Sequence, residues 1–384
     1  MIYLDNSATT ALSNEVKAAM TAAMESFGNP SSLHSAGDIA RRELAVARAK
    51  VASSLGAKNG KLIFTSCGSE ASNLAILGCV SSKKRRAARR IVTTDSEHPS
   101  VENVMCALEE QGFEIVRVST AGGELSAADL ERALEEPILM VSMMLVNNET
   151  GAVYQVSEFF KRVKDKYPEA VCHCDAVQGF LKIAFTPNTL NADMISISAH
   201  KIHGPKGVGA LWSSDRIIRE RRLVPTLLGG GQEEGFRSGT ENTLGIAGFA
   251  AAAEQGAMSF AKDSRKMTEL RQYAIDRLSE LNDSVRLNLP PLSAPHVISV
   301  TVFGIKSQTI LNHLSAAGIC VSSGSACSSH SNKPSHVLLA YGLSERDADS
   351  TVRISLSRYN TKEDIDALVD CLGTAISRLV RMKR

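Results

Sequence analysis

The order of apolar and polar segments in this 384-residue chain predicts an α/β fold, a mainly parallel central sheet with helices on both faces, followed by a smaller α+β region. Three observations carry that reading. Short apolar runs alternate with helical spacings as far as residue 212. One of those runs, 138–146, is apolar enough to be buried on both faces, as a central parallel strand is. After Gly229-Gly-Gly-Gln-Glu-Glu-Gly235 the texture changes, and long helical segments dominate.

Taken in order, residues 14–25 and 37–55 carry helical spacing, the second through Ile39, Leu44, Val46, Val51 and Leu55. Between them Phe27-Gly-Asn-Pro-Ser-Ser-Leu-His-Ser35 is too rich in turn formers to be an element. A rhythm follows of strand 62–65, helix 70–80, strand 91–94, helix 101–111, strand 114–118, helix 126–136 and strand 138–146. Helix 156–167 and strands 170–174, 193–198 and 208–212 complete it. The later region predicts helices over 243–260, 264–282, 307–317 and 361–380, with strands at 297–302 and 352–356. The expected division is a large domain, 12–255, and a smaller α+β domain made of 1–11 and 256–384. No internal repeat or low-complexity tract interrupts it.

Composition excludes some classes. Forty-three basic residues stand against 41 acidic ones, so total charge argues for neither nucleic acid nor a membrane surface. The local exception, Lys83-Lys-Arg-Arg-Ala-Ala-Arg-Arg90, reads either as a docking patch or as a solvated helix-to-strand connection. No apolar run reaches the roughly 18 residues that span a bilayer, and the N-terminus lacks a basic and apolar leader. A cytoplasmic protein is expected. The eight cysteines include no C-x-x-C pair. Alternation puts the sulfurs of Cys172 and Cys174 on one strand face and His173 on the other, which does not suit a chelate, and no certain metal site is expected.

The chemistry collects at strand ends, where ligands of such sheets sit. After the strand at 62–65 comes Ser66-Cys-Gly-Ser-Glu70, a small-residue turn into a helix. It reads as a phosphate site on free amides, or as a plain cap through Ser69. After 91–94 comes His98. After 138–146 comes Asn147-Asn-Glu-Thr-Gly151, and after 170–174 comes Asp175-Ala-Val-Gln178. After 193–198 come His200 and Lys201, beside Ser198. A lysine there can form a Schiff base with an aldehyde cofactor if its pKa is lowered. Five polar clusters at five successive strand ends describe one pocket. The later region adds Cys327, in a run of small residues that favours an exposed, reactive thiol, and Arg353 in a strand-like run. Such an arginine grips either a ligand carboxylate or an internal Asp or Glu.

These residues carry a resemblance. The sequence resembles the cysteine desulfurases of the NifS/IscS type, in the aspartate-aminotransferase-like pyridoxal-phosphate fold (fold type I). The likeness runs from Tyr3-Leu-Asp-Asn-Ser-Ala-Thr-Thr10 to the last helix. It includes Phe27-Gly-Asn-Pro-Ser31, Val146-Asn-Asn-Glu149, Asp175-Ala-Val-Gln178, Ser198-Ala-His-Lys201, Arg237-Ser-Gly-Thr-Glu-Asn242 and Ser322-Ser-Gly-Ser-Ala-Cys327. The long loop before Pro334 resembles the housekeeping and nitrogen-fixation branch. The resemblance implies pyridoxal 5'-phosphate as cofactor, held by Lys201, which also moves the substrate Cα proton. It implies that Asp175 faces the pyridine nitrogen and that His98 stacks on the ring and transfers protons. Asn148 and Gln178 would lie near the ring's oxygen substituent. Gly68, Ser69, Ser198 and His200 would bind phosphate, with Thr240 reaching it from the partner subunit of a homodimer. Arg353, with Asn148, would bind the substrate L-cysteine, Arg353 holding its carboxylate. Cys327, on a loop at about 322–334, would take the substrate sulfur as a persulfide and pass it to a sulfur-accepting scaffold protein of iron–sulfur cluster assembly. It is also a candidate transient ligand of such a cluster. Cys67 departs from the glycine usual at its position.

Two other readings compete. A selenocysteine lyase, or a cysteine or cystine lyase, would keep the cofactor and change the donor, but would not need Cys327. A non-catalytic scaffold would not need Lys201, Asp175, His98 and Cys327 together.

Overall fold

In the computed structural model, which describes residues 1–82, 88–324 and 334–381, seven strands form one sheet. Their order across the sheet is Lys61–Thr65, Gly209–Ser213, Met194–Ser198, Val171–Asp175, Ile138–Met144, Arg90–Thr94 and Glu114–Val118. Only Gly209–Ser213 runs against the others. The remaining strands therefore present their carboxyl ends along one edge, and the antiparallel strand starts there. The four strands from Gly209–Ser213 to Ile138–Met144 are buried along their whole length, so both faces are covered. One face packs on Phe159, Phe160, Phe180 and Phe249, and the other on Leu74, Met105 and Leu108.

Polarity inside this sheet is fully paired at one point. His173 lies buried between two neighbouring strands, its Nδ1 2.8 Å from Ser142 Oγ and its Nε2 2.8 Å from Ser196 Oγ. Burial holds its pKa down to about 3, so it is a neutral brace. Cys172 and Cys174 point into the apolar cluster on one face, as alternation requires. Among the described residues no group of His, Cys, Asp and Glu is arranged to hold a metal ion, and no helix is long and apolar enough to cross a membrane.

A second core gathers Leu4 with residues of 270–372 around a three-stranded antiparallel sheet, ordered Thr351–Ser355, Val297–Val302, Val285–Asn288. The two helices expected at 243–260 and 264–282 are one, Thr243–Ser279. The stretch Ala261-Lys-Asp-Ser-Arg265 at their junction contains no Gly or Pro, and every residue in it tolerates helix. Arg358 fixes its middle, donating to Gln255 Oε1 at 2.7 Å and Asp263 Oδ2 at 3.0 Å. The helix passes through residue 255, the expected boundary, and its side chains enter both cores, Phe249 one and Leu270 and Leu278 the other. The helix expected at 126–136 is confined to Ala127–Ala133.

Short strands escaped the sequence reading. Ile2–Tyr3 pairs in parallel with Ile319–Cys320, each too brief to show a period. From there the N-terminal segment crosses to the large sheet. Ser7 N donates to Ser355 Oγ at 2.8 Å, and Thr10 N donates to His200 O at 2.9 Å. Of the basic run at 83–90, read as a docking patch or a solvated connection, residues 83–87 lie outside the described residues. Its described arginines are occupied, Arg89 on Gln111 O and Gly112 O and Arg90 on Glu114.

The start of the antiparallel strand is the tightest point near the sheet edge. A Cβ on Gly209 would stand 2.5 Å from the carbonyl carbon of Cys67 and 2.9 Å from Gly68 N, backbone that cannot yield cheaply. Gly209→Ala is expected to cost about 1–3 kcal/mol. It should lower the urea midpoint without changing the slope of the transition.

Candidate active site

The residues at the sheet edge enclose a cavity of about 170 Å³. Lys201 reaches it from a single 3₁₀ turn, Ala199–Lys201, that follows the strand Met194–Ser198 directly. The turn can be this sharp because Gly204 lies against it, where a Cβ would stand 2.9 Å from Ala199 Cβ. Lys201 Nζ donates to Ser7 O at 2.6 Å and Ala8 O at 2.8 Å. Gln178 Nε2 donates to the same Ser7 carbonyl at 2.9 Å. The N-terminal segment thus supplies the cavity wall that aims the amine. Motif reading marked this segment only as part of a likeness. Backbone carbonyls leave no signature in residue type, so Ser7 and Ala8 were missed.

At one end of the cavity the helix Gly68–Val80 begins with exposed donors. Its N-cap is Cys67, in extended conformation and with no side-chain cap, so the cap expected through Ser69 is not made. Uncapped amides at a helix start favour an anion. Gly68 is pressed against the far wall, since a Cβ there would lie 2.8 Å from Val177 Cγ2 and 3.4 Å from Ser198 Cβ. Ser198 Oγ is buried and has no partner among the described residues, which leaves a hydroxyl aimed at the same place. Ser69 and His200 also line the cavity, with His200 Nδ1 3.2 Å from Thr9 Oγ1.

Along the cavity wall Asp175 accepts from Val177 N at 2.9 Å. Burial pushes its pKa up to about 6, and the Lys201 charge opposes that. A cationic N–H placed at its carboxylate would draw the pKa back down. His98 caps the helix Pro99–Glu110, its Nδ1 accepting from Ser100 N at 3.1 Å. Burial, then the charge of Lys201, holds its pKa down to about 4, so the ring is neutral near pH 7. Next to it Glu97 is fully buried, its Oε1 accepting from Thr94 Oγ1 at 2.7 Å and Met144 N at 2.9 Å. Burial raises its pKa to about 8.

Asn148 and Arg353 close the opposite side. Asn148 Oδ1 is buried with no partner among the described residues. Arg353 is 2% exposed and has an internal partner, Asp5 Oδ1, 2.8 Å from Nη2. Its Nη1 donates to Asn148 O at 2.8 Å, and its Nε has no partner among the described residues. Of the two readings of this arginine, the internal ion pair is therefore present, with the Nε–H left over.

Two expected residues remain. Thr240 lines a separate cavity of about 110 Å³ with Thr65, Ser66 and Arg237, so within one chain it does not reach Lys201. Cys327 lies outside the described residues. The other thiols differ in environment: burial holds Cys79 up to about 12 and Cys172 and Cys174 well above the usual thiol value, while Cys67 lies on the cavity wall.

The chain matches the aminotransferase class-V family over residues 2–368. It is 40% identical to "Cysteine desulfurase" of Trichormus azollae, across 99% of this chain and 94% of that one. It is 36% identical to "Cysteine desulfurase IscS 1" of Archaeoglobus fulgidus, across 100% and 98%. Among solved structures it superposes on a "NifS-like protein" with a TM-score of 0.90 at 35% identity, covering 98% of this chain and 99% of that one. It superposes on "SspA in complex with cysteine" with a TM-score of 0.81 at 33% identity, covering 94% and 100%.

Asp175 gives a pH test. Its folded pKa, about 6, exceeds the unfolded value of roughly 3.9. Its contribution is therefore favourable below pH 4 and is lost as pH rises through about 6. For cofactor-free protein, Asp175→Asn should melt with the wild type at pH 4 and above it at pH 7.5. Thermal midpoints across that range measure it.

Proposed function

This chain belongs to the aminotransferase class-V family and is a pyridoxal-phosphate-dependent cysteine desulfurase; we propose that Lys201 holds its cofactor and that Cys327 receives the sulfur. The observation that carries the assignment of Lys201 is convergence. An amine, a carboxylate, an uncapped helix start and a buried orphan hydroxyl from three strand ends meet in one cavity. Those residues fit the cofactor. The amides of Gly68 and Ser69, the free Ser198 hydroxyl and His200 suit a phosphate. Asp175 suits a protonated ring nitrogen, and Asn148 Oδ1 and Gln178 are near enough to the wall to serve a ring oxygen. His98, held neutral, offers an uncharged flat face.

When bound, pyridoxal phosphate supplies an electron sink that stabilises negative charge at the substrate carbons. The chain does the rest. Arg353, oriented by Asp5 and Asn148 O, has its Nε available for the carboxylate of L-cysteine. Lys201 Nζ, once freed, is the base at the Cα proton, and a desolvated neutral imidazole on His98 can take or return a proton near pH 7. The Cys327 thiolate attacks the substrate sulfur. A sulfur–sulfur bond forms as the substrate's carbon–sulfur bond breaks, its electron pair passes to the carbon, and protonation there gives L-alanine. Cys327 is left as a persulfide, ready for transfer to an acceptor protein, for which iron–sulfur assembly is our reading.

Thr240 lines a different cavity from Lys201 in its own chain, which supports a homodimer in which it completes the partner's phosphate site. We also keep the division into 12–255 and 1–11 with 256–384 as a proposal, and a cytoplasmic setting with it.

Purified protein should absorb in the visible from its cofactor, and Lys201→Ala should lose that band. Cys327→Ser should keep the band while alanine and sulfide release from cysteine falls by at least about a hundredfold. Full activity in Cys327→Ser would overturn the persulfide step.

A further inference from the structure

We propose that Glu149 is a positioning residue for Cys327, its carboxylate clamping together the two chain ends between which the cysteine is carried. The inference rests on the reading of Cys327 as sulfur acceptor.

Glu149 is 2% exposed and sits on the turn after the strand Ile138–Met144. Asn147 fixes that turn: its Oδ1 accepts from Glu149 N and Thr150 N, both at 2.9 Å. Gly151 completes it at a φ of +76°. The turn then points its residues in two directions. Asn148 faces the Lys201 cavity, whereas Glu149 is absent from its walls. Instead Glu149 Oε2 accepts from Ser335 Oγ at 2.6 Å. The same oxygen packs over Gly324, where a Cβ would stand only 3.0 Å from it and 3.7 Å from Ser335 Cβ. One carboxylate oxygen therefore bonds Ser335 and borders the space beside Gly324, and Cys327 lies between these two residues in sequence.

The ends are tied to the site a second time each. Ser322 and Arg353 exchange backbone hydrogen bonds of 3.2 and 2.6 Å. His336 Nε2 lies 3.0 Å from Glu97 O. Every anchor is a cavity residue or its immediate neighbour: Arg353 itself, Glu97 beside His98, and Glu149 beside Asn148. Closing a loop costs chain entropy, and pinning its ends reduces the volume its members can search. A buried carboxylate is costly unless it is well bonded, so its use here indicates that this geometry is worth keeping. Held this way, the cysteine has a raised effective concentration at the substrate sulfur.

The test uses the cofactor-loaded enzyme. Glu149→Ala removes the clamp, Glu149→Asp keeps the charge but retracts it by one methylene, and Glu149→Gln still offers an oxygen to Ser335. Glu149→Ala and Glu149→Asp should lower kcat for L-cysteine about 10- to 100-fold. The persulfide found on Cys327 by mass spectrometry after a single turnover should fall in parallel. The cofactor band, its change on adding cysteine, and KM should stay as in the wild type, and Glu149→Gln should recover most of the rate. Should Glu149→Ala fail to fold, Glu149→Asp decides. Wild-type kcat and persulfide yield in Glu149→Asp, or losses explained by a lost cofactor band, would overturn the clamp. Cys327→Ser, run alongside, separates the failures. An inactive Cys327→Ser with active Glu149 variants removes only the positioning role, whereas an active Cys327→Ser removes the acceptor reading and the clamp with it.

Discussion

The parallel ladder that joins Met140–Met144 to Val171–Asp175, and His173–Asp175 to Met194–Ser196, fixes how far each strand runs before it turns. In a parallel sheet neighbouring strands end side by side, so residues just past those ends are brought together without any long-range design. Asp175, Asn148 and Lys201 owe their proximity to this register. A slip of one residue in any of these strands would exchange its faces and move its terminal group. The His173 brace between Ser142 and Ser196 opposes such a slip, because it spans three adjacent strands at full burial.

Burial then sets the electrical state of the site. It raises Asp175 in the cavity and Glu97 beside it, and lowers His98 and His200. Glu97 settles the matter by staying mostly protonated near pH 7, and the imidazoles by staying neutral. Lys201 donates to two backbone carbonyls, and its charge draws Asp175 down against the pull of burial. The cavity thus keeps few fixed charges, and the strongest electrostatic partner it can meet is an incoming ligand. Arg353 departs from this pattern, and Asp5 accounts for it.

Much of this was legible in the residues. The strands were, since apolar runs bounded by turn formers have few other uses, and so was the gathering of Asp175, Asn148, His98, Ser198 and Lys201 at one edge. What sequence reasoning missed shares a cause. Ile2–Tyr3 and Ile319–Cys320 are strands only by tertiary pairing. The cap at Cys67, the carbonyls of Ser7 and Ala8, and the grip of Asp5 on Arg353 depend on backbone direction or on contacts across more than 300 residues. The long helix was read as two, and its middle is held by Arg358, a residue far away in sequence. Glu149 read simply as part of a motif, since its partner stands 186 positions away.

The unbroken helix Thr243–Ser279 has a thermodynamic consequence. At 1.5 Å per residue its 37 residues run about 55 Å. Its first half is part of the large sheet's core and its second half part of the smaller one. Neither core can lose this helix without exposing its share of apolar surface, and a helix melts most readily when its packing is lost. The two cores are therefore coupled in unfolding. Heat or denaturant should meet a single cooperative transition, with no state in which the cofactor half survives alone.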